Sequence, residues 1–275
     1  MVCFLICMRI GISTSFNYKL PFPENIRAIA DAGFKFISVG GNVRHSHYNT
    51  PEGRRARLLE YSGKFGLEID SIHAPYDPTC DLTQTQDIFA QNAVIEIKRS
   101  ITAASELGVK KLIVHLSAFR PRKLSERMAR IKLTVPEIVK FAGEKQVQIA
   151  LENLDSDSEV LFKYAMDLFE SENLKFCYDN GHEMLYNESM DLLKKYSGRL
   201  AVMHIHDNDG ERDLHLIPFE GKLDFPALAG QLNKLERIPD ITLECEMENS
   251  NYATAEKFLE AAYNKGMQFI EMLKR

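Results

Sequence analysis

Eight short apolar runs, each followed by a stretch with apolar residues at helical spacing, constrain the fold of this 275-residue chain more than any other feature. The runs lie at 9–14 (RIGIST), 35–40 (KFISVG), 67–73 (LEIDSIH), 110–116 (KKLIVHL), 147–153 (VQIALEN), 174–179 (LKFCYD), 200–206 (LAVMHIH) and 240–245 (DITLEC). They are nearly continuous in apolar character, as expected of strands covered on both faces. Helical patterns fill the gaps at 23–32, 51–65, 87–107, 124–143, 157–171, 187–197, 225–236 and 252–273, with Gly33 and Gly108 as stop signals. Such alternation predicts either a (β/α)8 TIM barrel or a doubly wound sheet. No Pro/Ser-rich linker divides the chain, so residues 1–275 read as a single domain.

The positions of the polar residues favour the barrel. His73, His115, Glu152, Asp179, His204 and Glu244 fall at the ends of the third to eighth runs, and His182, Asp213 and His215 follow the sixth and seventh. In a barrel, all of these ends converge on one mouth. In an open sheet, the third and eighth strands could lie far apart and their buried polar groups would lack partners. Carboxylates crowded into one pocket repel and need a cation, so the nine residues predict a divalent-metal site. His and carboxylate donors suit Zn²⁺, and also Mn²⁺ or Co²⁺.

Strand parity refines this reading, because side chains i and i+2 share a face. His204 then points with His206, Glu244 with Glu246, and Asp179 with Cys177, while Cys245 faces the helices. Asn153 and Asp207 directly follow strand ends and are placed to orient ligands. DNGH sets Asp179 and His182 three apart on the turn after the sixth run, and DLH holds Asp213 and His215.

Composition supplies boundaries. Hydrophobic residues make up 45% of the chain, enough for a sizeable core. A net charge of −5 argues against a generic nucleic-acid binder but leaves room for a local basic rim. Five cysteines, an odd number without framework spacing, read as reduced thiols and predict a cytoplasmic protein. No stretch approaches the ~20 apolar residues of a membrane span. The apolar start lacks the features of a signal peptide. Residues 1–7 read as an N-terminal extension, with Met8 as an alternative start.

With these residues in place, the chain resembles the xylose-isomerase-like TIM-barrel superfamily, which includes endonuclease IV and the sugar (phosphate) isomerases and epimerases. The resemblance runs from about residue 9 to 272. The endonuclease IV branch holds three zinc ions with nine ligands, each with a counterpart here. By that likeness, His73, His115 and Glu152 hold one ion. Glu152 bridges to a second, held also by Asp179, His204 and Glu244; His182, Asp213 and His215 hold the third. Tyr76, in HAPY, matches a tyrosine of that branch, and Arg44, in GNVRH, an arginine of its DNA-probing loop. The flanking motifs depart from it: DNGH replaces DTCH, HIHD replaces HLND, and HLIPFEG replaces the HENIG-like stretch. These variants look more like the sugar isomerase/epimerase-like members.

Two functions follow as expectations. The first is a metal-dependent phosphoester hydrolase with a multinuclear, zinc-favoured site that activates water. The alternative is a sugar or sugar-phosphate isomerase or epimerase using one Mn²⁺, Mg²⁺ or Co²⁺ ion at Glu152, Asp179, His204 and Glu244. There the resemblance gives Glu152 and Glu244 the proton transfers, and His182 orients substrate. Expected substrate contacts are Tyr76, Arg44, Asn153, His206, Asp207 and Arg212, the last as a phosphate clamp. Binding of DNA would draw on Arg44, His45 and His47, on Arg54, Arg55 and Arg57, and on Arg120, Arg122 and Lys123. Two short basic patches are thin support for it, since such binding needs many phosphate contacts. The expected partner is therefore a small phosphoester or sugar.

Overall fold

A computed structural model describes residues 8–50, 52–117, 123–154, 156–186 and 189–273. The extension at 1–7 and the basic residues Arg120 and Arg122 lie outside the described residues. Among the described residues, eight parallel strands close into one barrel in sequence order: β1 (Ile10–Ser13), β2 (Phe36–Val39), β3 (Glu68–His73), β4 (Lys111–Val114), β5 (Gln148–Glu152), β6 (Leu174–Asp179), β7 (Leu200–Ile205) and β8 (Ile241–Leu243). Closure is through β8 and β1, where Ile10, Gly11 and Ile12 pair with Ile241, Thr242 and Leu243. The doubly wound alternative is thereby eliminated.

Helices on the outside cover the sheet: α1 (Phe22–Asp31), α2 (Val43–Ser46), α3 (Glu52–Lys64), α4 (Asp87–Glu106), α5 (Leu124–Glu144), α6 (Ser156–Leu168), α7 (Asn180–Tyr186), α8 (Asp191–Tyr196), α9 (Phe225–Leu232) and α10 (Ala255–Leu273). The main core lies between sheet and helices. It is built from outward strand residues such as Ile12, Ile72, Val114, Leu151 and Phe176 with helix residues such as Ile26, Ile101, Ile138 and Phe269. Cys245 joins it, as parity requires.

A second, smaller cluster fills the barrel interior: Ile113, Ala150, Cys177 and Val202. Each stands two residues before a polar strand-end residue (His115, Glu152, Asp179 and His204), so alternation puts all eight on the inner face. This apolar layer is the floor of the mouth. Near the opposite end the interior is filled by Phe36, which needs Gly11 as its neighbour. A Cβ at position 11 would collide with the Phe36 ring and with its carbonyl oxygen, which cannot swing away. Gly11→Ala should therefore cost about 1–3 kcal/mol, read as a lowered denaturant midpoint with an unchanged slope.

Three helices depart from the sequence reading. The segment after β6, expected as a turn, is α7, and it starts at the residue following Asp179. The Asp179 carboxylate accepts the His182 backbone N–H at 2.7 Å and so caps the helix. The helix expected at 187–197 is shorter, Asp191–Tyr196. The four-residue α2 is too brief to leave an apolar period, and the Asn42 side chain caps it by accepting from the Arg44 N–H.

Candidate metal centre

The C-terminal ends of the strands open into a cavity of about 430 Å³. Among the described residues, potential ligands gather around it in four groups, within each of which the donor atoms lie within 4.8 Å of one another; one of them, Glu152, Cys177 and His204, falls mostly within a larger carboxylate set, so that three distinct sets remain. In the first set, His73 ends β3 and His115 follows β4. Both Nε2 atoms lie 3.1 Å from Glu152 Oε2 and 3.1 Å from each other. The second is Glu152, Asp179, His204 and Glu244. There His204 Nδ1 lies 3.0 Å from Glu152 Oε1 and 2.8 Å from Glu244 Oε2. A register shift between β6 and β7 sets Asp179 directly beside His204. The third is His182, Asp213 and His215, with the His206 ring also within reach. Asp213 Oδ2 stands 3.0 Å from His182 Nε2 and 3.2 Å from His215 Nε2.

Backbone carbonyls fix the tautomers. His73 Nδ1–H donates to the Ala74 carbonyl at 2.6 Å, His182 Nδ1–H to that of Asn153 at 2.9 Å, and His215 Nδ1–H to that of Glu244 at 2.7 Å. In each neutral ring the lone pair is then on Nε2, the nitrogen aimed into the ligand set, and metal-binding histidines need such an outer partner. His215 adopts a left-handed backbone conformation (φ 48), held where its carbonyl accepts the Glu246 N–H at 2.8 Å. That costly geometry aims the ring inward.

The electrostatics fit a cation. Burial would raise the Glu152 carboxyl, but His204 and His115 pull it well below the usual range. Burial would push the His182 imidazole down, but Asp179, Asp213 and Glu152 hold it well above its ordinary value. His215 rises to about 10, because Asp213 outweighs its desolvation. Among the described residues lining the cavity there is no Lys or Arg. Without a metal, only protons on the imidazoles can neutralise these carboxylates. Divalent ions would replace those protons and make the same contacts, so the donor set suits them. Metal uptake should therefore release protons, and apparent affinity should rise with pH. Titration calorimetry in buffers of differing ionisation enthalpy measures this; buffer-independent heats would contradict it.

The remaining expected site residues are distributed unevenly. Tyr76 lines the cavity, with its ring edge-on to His73 at 5.3 Å and tilted over His115 at 5.4 Å. Asn153 is fully buried and reaches no substrate. Its side chain donates to the Asp179 carbonyl and accepts from the Asp179 N–H, both at 2.8 Å, and so ties the end of β5 to that of β6. Asn153→Ala should cost about 2–4 kcal/mol by leaving both groups unpaired and should loosen metal binding at Asp179; an unchanged melting temperature would refute this. His206 is also fully buried, its Nε2 3.0 Å from Asp179 Oδ1 and its ring stacked on His215 at 3.9 Å. It supports ligands from behind rather than contacting substrate. Gly181 makes room for it, since a Cβ there would strike the His206 ring.

Asp207 likewise lies beneath the loop. It accepts from Asn208, Gly221 and Leu223 N–H groups, and its backbone bridges to Leu216, folding the segment that carries Asp213 and His215 back over the mouth. Arg44 is exposed on α2 and does not line the cavity. Arg212 is 71% exposed and held by Asp209 at 2.7 Å, so it is no phosphate clamp in this arrangement. His45 is packed between Tyr18 and Phe22 with Nε2 2.9 Å from the Leu20 carbonyl, outside the mouth.

Sequence reasoning did not put forward Ser15, Tyr18, Gly40, Gly41, Ser117, Leu154 or Glu246, all of which line the cavity. Gly40 and Gly41 admit the Tyr18 hydroxyl and the Tyr76 ring so closely that a Cβ would clash with either; the GG doublet was the available signal. Glu246 was legible as the parity partner of Glu244.

The profile of the family described as xylose isomerase-like TIM barrel matches residues 26–273. The chain belongs to this family. A relative in Methanocaldococcus jannaschii, the uncharacterized protein MJ1614, is 36% identical over 249 residues, covering 86% of this chain and 92% of its own. Among solved structures, a D-tagatose 3-epimerase-like protein superposes with a TM-score of 0.80 at 22% identity, covering 97% of this chain and 98% of its own. The IOLI protein, solved with a binding zinc atom, superposes with a TM-score of 0.81 at 15% identity, covering 97% and 99%. At those identities the superpositions show the shared fold. Among the described residues no helix is long and apolar enough to cross a membrane.

Proposed function

We propose that this protein is a metal-dependent hydrolase of small phosphoesters, with a multinuclear centre organised by Glu152. The observation that carries this is the double engagement of Glu152: Oε2 faces His73 and His115, and Oε1 faces His204. A carboxylate so placed would hold one ion through each oxygen. Both of its oxygens already face imidazoles, and it is 2% exposed. His182, Asp213 and His215 add a third set that a mononuclear isomerase does not need.

Bound divalent ions, zinc in the first instance, would supply Lewis-acid stabilisation of phosphoryl oxygens and activation of water. The chain's own residues would do the rest. Asn153 holds Asp179 in place, and the loop clamped by Asp207 brings Asp213 and His215 over the mouth. Tyr18, Tyr76 and Ser117 offer hydroxyls, and Glu246 a carboxylate, to the non-reacting part of the substrate. The cavity volume suits a small molecule, and the lack of a lining Lys or Arg leaves the phosphate to the metals. A DNA substrate has little support, because Arg44 and Arg212 lie away from the cavity.

One observation favours a second reading. The similar solved structures include a D-psicose 3-epimerase in the presence of D-fructose, and the Glu152, Asp179, His204 and Glu244 set is itself a complete single-ion site. An uncharged ketose would also need no basic clamp. The two readings separate in one pair of assays on metal-loaded protein: cleavage of aryl phosphate mono- and diesters, and solvent deuterium incorporation into a ketose panel. Cleavage without deuterium incorporation is the expected result; incorporation without cleavage would replace hydrolysis with epimerisation.

A further inference from the structure

A second cavity, of about 810 Å³, lies at the N-terminal ends of the strands, nearly twice the volume of the metal-lined one. The inner apolar layer and Phe36 separate the two. Seven of its lining residues are Lys or Arg and three are Asp or Glu, in a chain whose net charge is −5.

The cations differ in how they are compensated. Arg9 pairs with Asp240 at 2.7 Å and with Glu68, and Lys111 pairs with Asp70 at 2.6 Å. Lys175 meets Glu172, whose side chain is almost wholly in water. Arg199 is held by the carbonyls of Leu174 and Met166, which fix its guanidinium without supplying a counter-charge. Lys234 meets the Gln231 amide. Lys110 and Arg237 make no ion pair with another described residue, and Glu236 is the one lining carboxylate not engaged with Arg9 or Lys111.

We propose that this cavity binds a small molecule carrying two or more phosphate groups, at a site separate from the metal centre. The uncompensated cations come from the starts of β4 and β7 and from the segment between α9 and β8. Their spread suits several anionic groups in one ligand better than a single ion. A guanidinium suits phosphate oxygens, and Arg199 keeps one N–H on each of Nη1 and Nη2 beyond those given to the Leu174 and Met166 carbonyls. The volume is that of a small-molecule site. The lining is largely polar, which selects for charge rather than apolar bulk.

The test is calorimetric titration of the metal-loaded protein with inorganic tripolyphosphate at physiological salt. It is run on the wild type, on Lys110→Glu/Arg237→Glu, on the milder Lys110→Gln/Arg237→Gln, and on Glu152→Gln. Both substituted side chains are exposed, so the basic-site variants should keep their metal content and melting temperature. The expected result is a binding event weakened about 10-fold or more by charge reversal, less by neutralisation, and unaltered in Glu152→Gln. The proposal is overturned if the wild type shows no binding, or if the basic-site variants bind as the wild type does and Glu152→Gln does not, which would place the anion on the metals. The first outcome leaves the hydrolase reading untouched, and the second moves the anion to the metal centre, where it accords with that reading.

Discussion

Glu152→Gln should abolish turnover, by about 10³-fold or more, and should strip the ions of the first two ligand sets while leaving that of the third. The substitution preserves shape, so the fold should persist. On the proposed multinuclear centre, what it removes is the bridging anion. An amide has one oxygen and one NH₂ group, and it cannot present an acceptor both to the His73/His115 pair and to His204, as Glu152 does through its two oxygens. The amide nitrogen would instead point a donor at one side. Loss of the negative charge also removes what holds the surrounding imidazoles, since Glu152 and its neighbours oppose the desolvation of His204 and His182. Metal analysis together with kinetics on the same preparation reads both effects. Retention of full metal content with full activity would exclude the bridging role.

Asp213→Asn separates the two catalytic readings. Asp213 meets both His182 and His215 through one carboxylate oxygen, and its carboxyl lies well below the ordinary range, because those imidazoles outweigh its desolvation. Asparagine would weaken the third set and leave Glu152, Asp179, His204 and Glu244 intact. If phosphoester hydrolysis uses all three sets, kcat should fall about 10²- to 10³-fold with loss of a single ion. An isomerase built on the four-residue set would keep most of its rate. A variant that loses one ion yet hydrolyses phosphoesters at the wild-type rate would show that the third set does not take part.

Much of this architecture is legible in the sequence for identifiable reasons. The strands are covered on both faces, so they appear as continuous apolar runs, and residues such as Ile113, Ala150, Cys177 and Val202 announce by parity which strand-end side chains share the interior. The residues at those ends could be nominated because buried imidazoles and carboxylates require partners. Features that depend on backbone groups distant in sequence were not legible. The carbonyls of Ala74, Asn153 and Glu244 that set the histidine tautomers have no side-chain signature. Helix α7 is hidden in the sequence because its capping residue, Asp179, is also a strand-end ligand candidate. Arg212 looked free in sequence, but Asp209, three residues earlier, captures it. Asn153 and Asp207 were expected both to orient ligands and to meet substrate, and His206 to meet substrate. Burial puts them one layer behind, where each holds a neighbouring ligand or its loop in place.

The basic cavity at the other end of the barrel leaves no signature in the sequence. Its residues are scattered from Arg9 to Arg237 and form no motif, because they are gathered by the starts of strands rather than by any local segment.

The most direct test of the central claim is the metal stoichiometry of active protein purified under zinc-replete conditions. It should be measured by elemental analysis alongside phosphoester cleavage as ions are removed stepwise by a chelator. The bridged arrangement of Glu152 predicts more than one divalent ion per chain, up to one for each of the three ligand sets, with activity lost before the last ion leaves. A single tightly held ion per chain that sustains full activity would contradict the multinuclear centre.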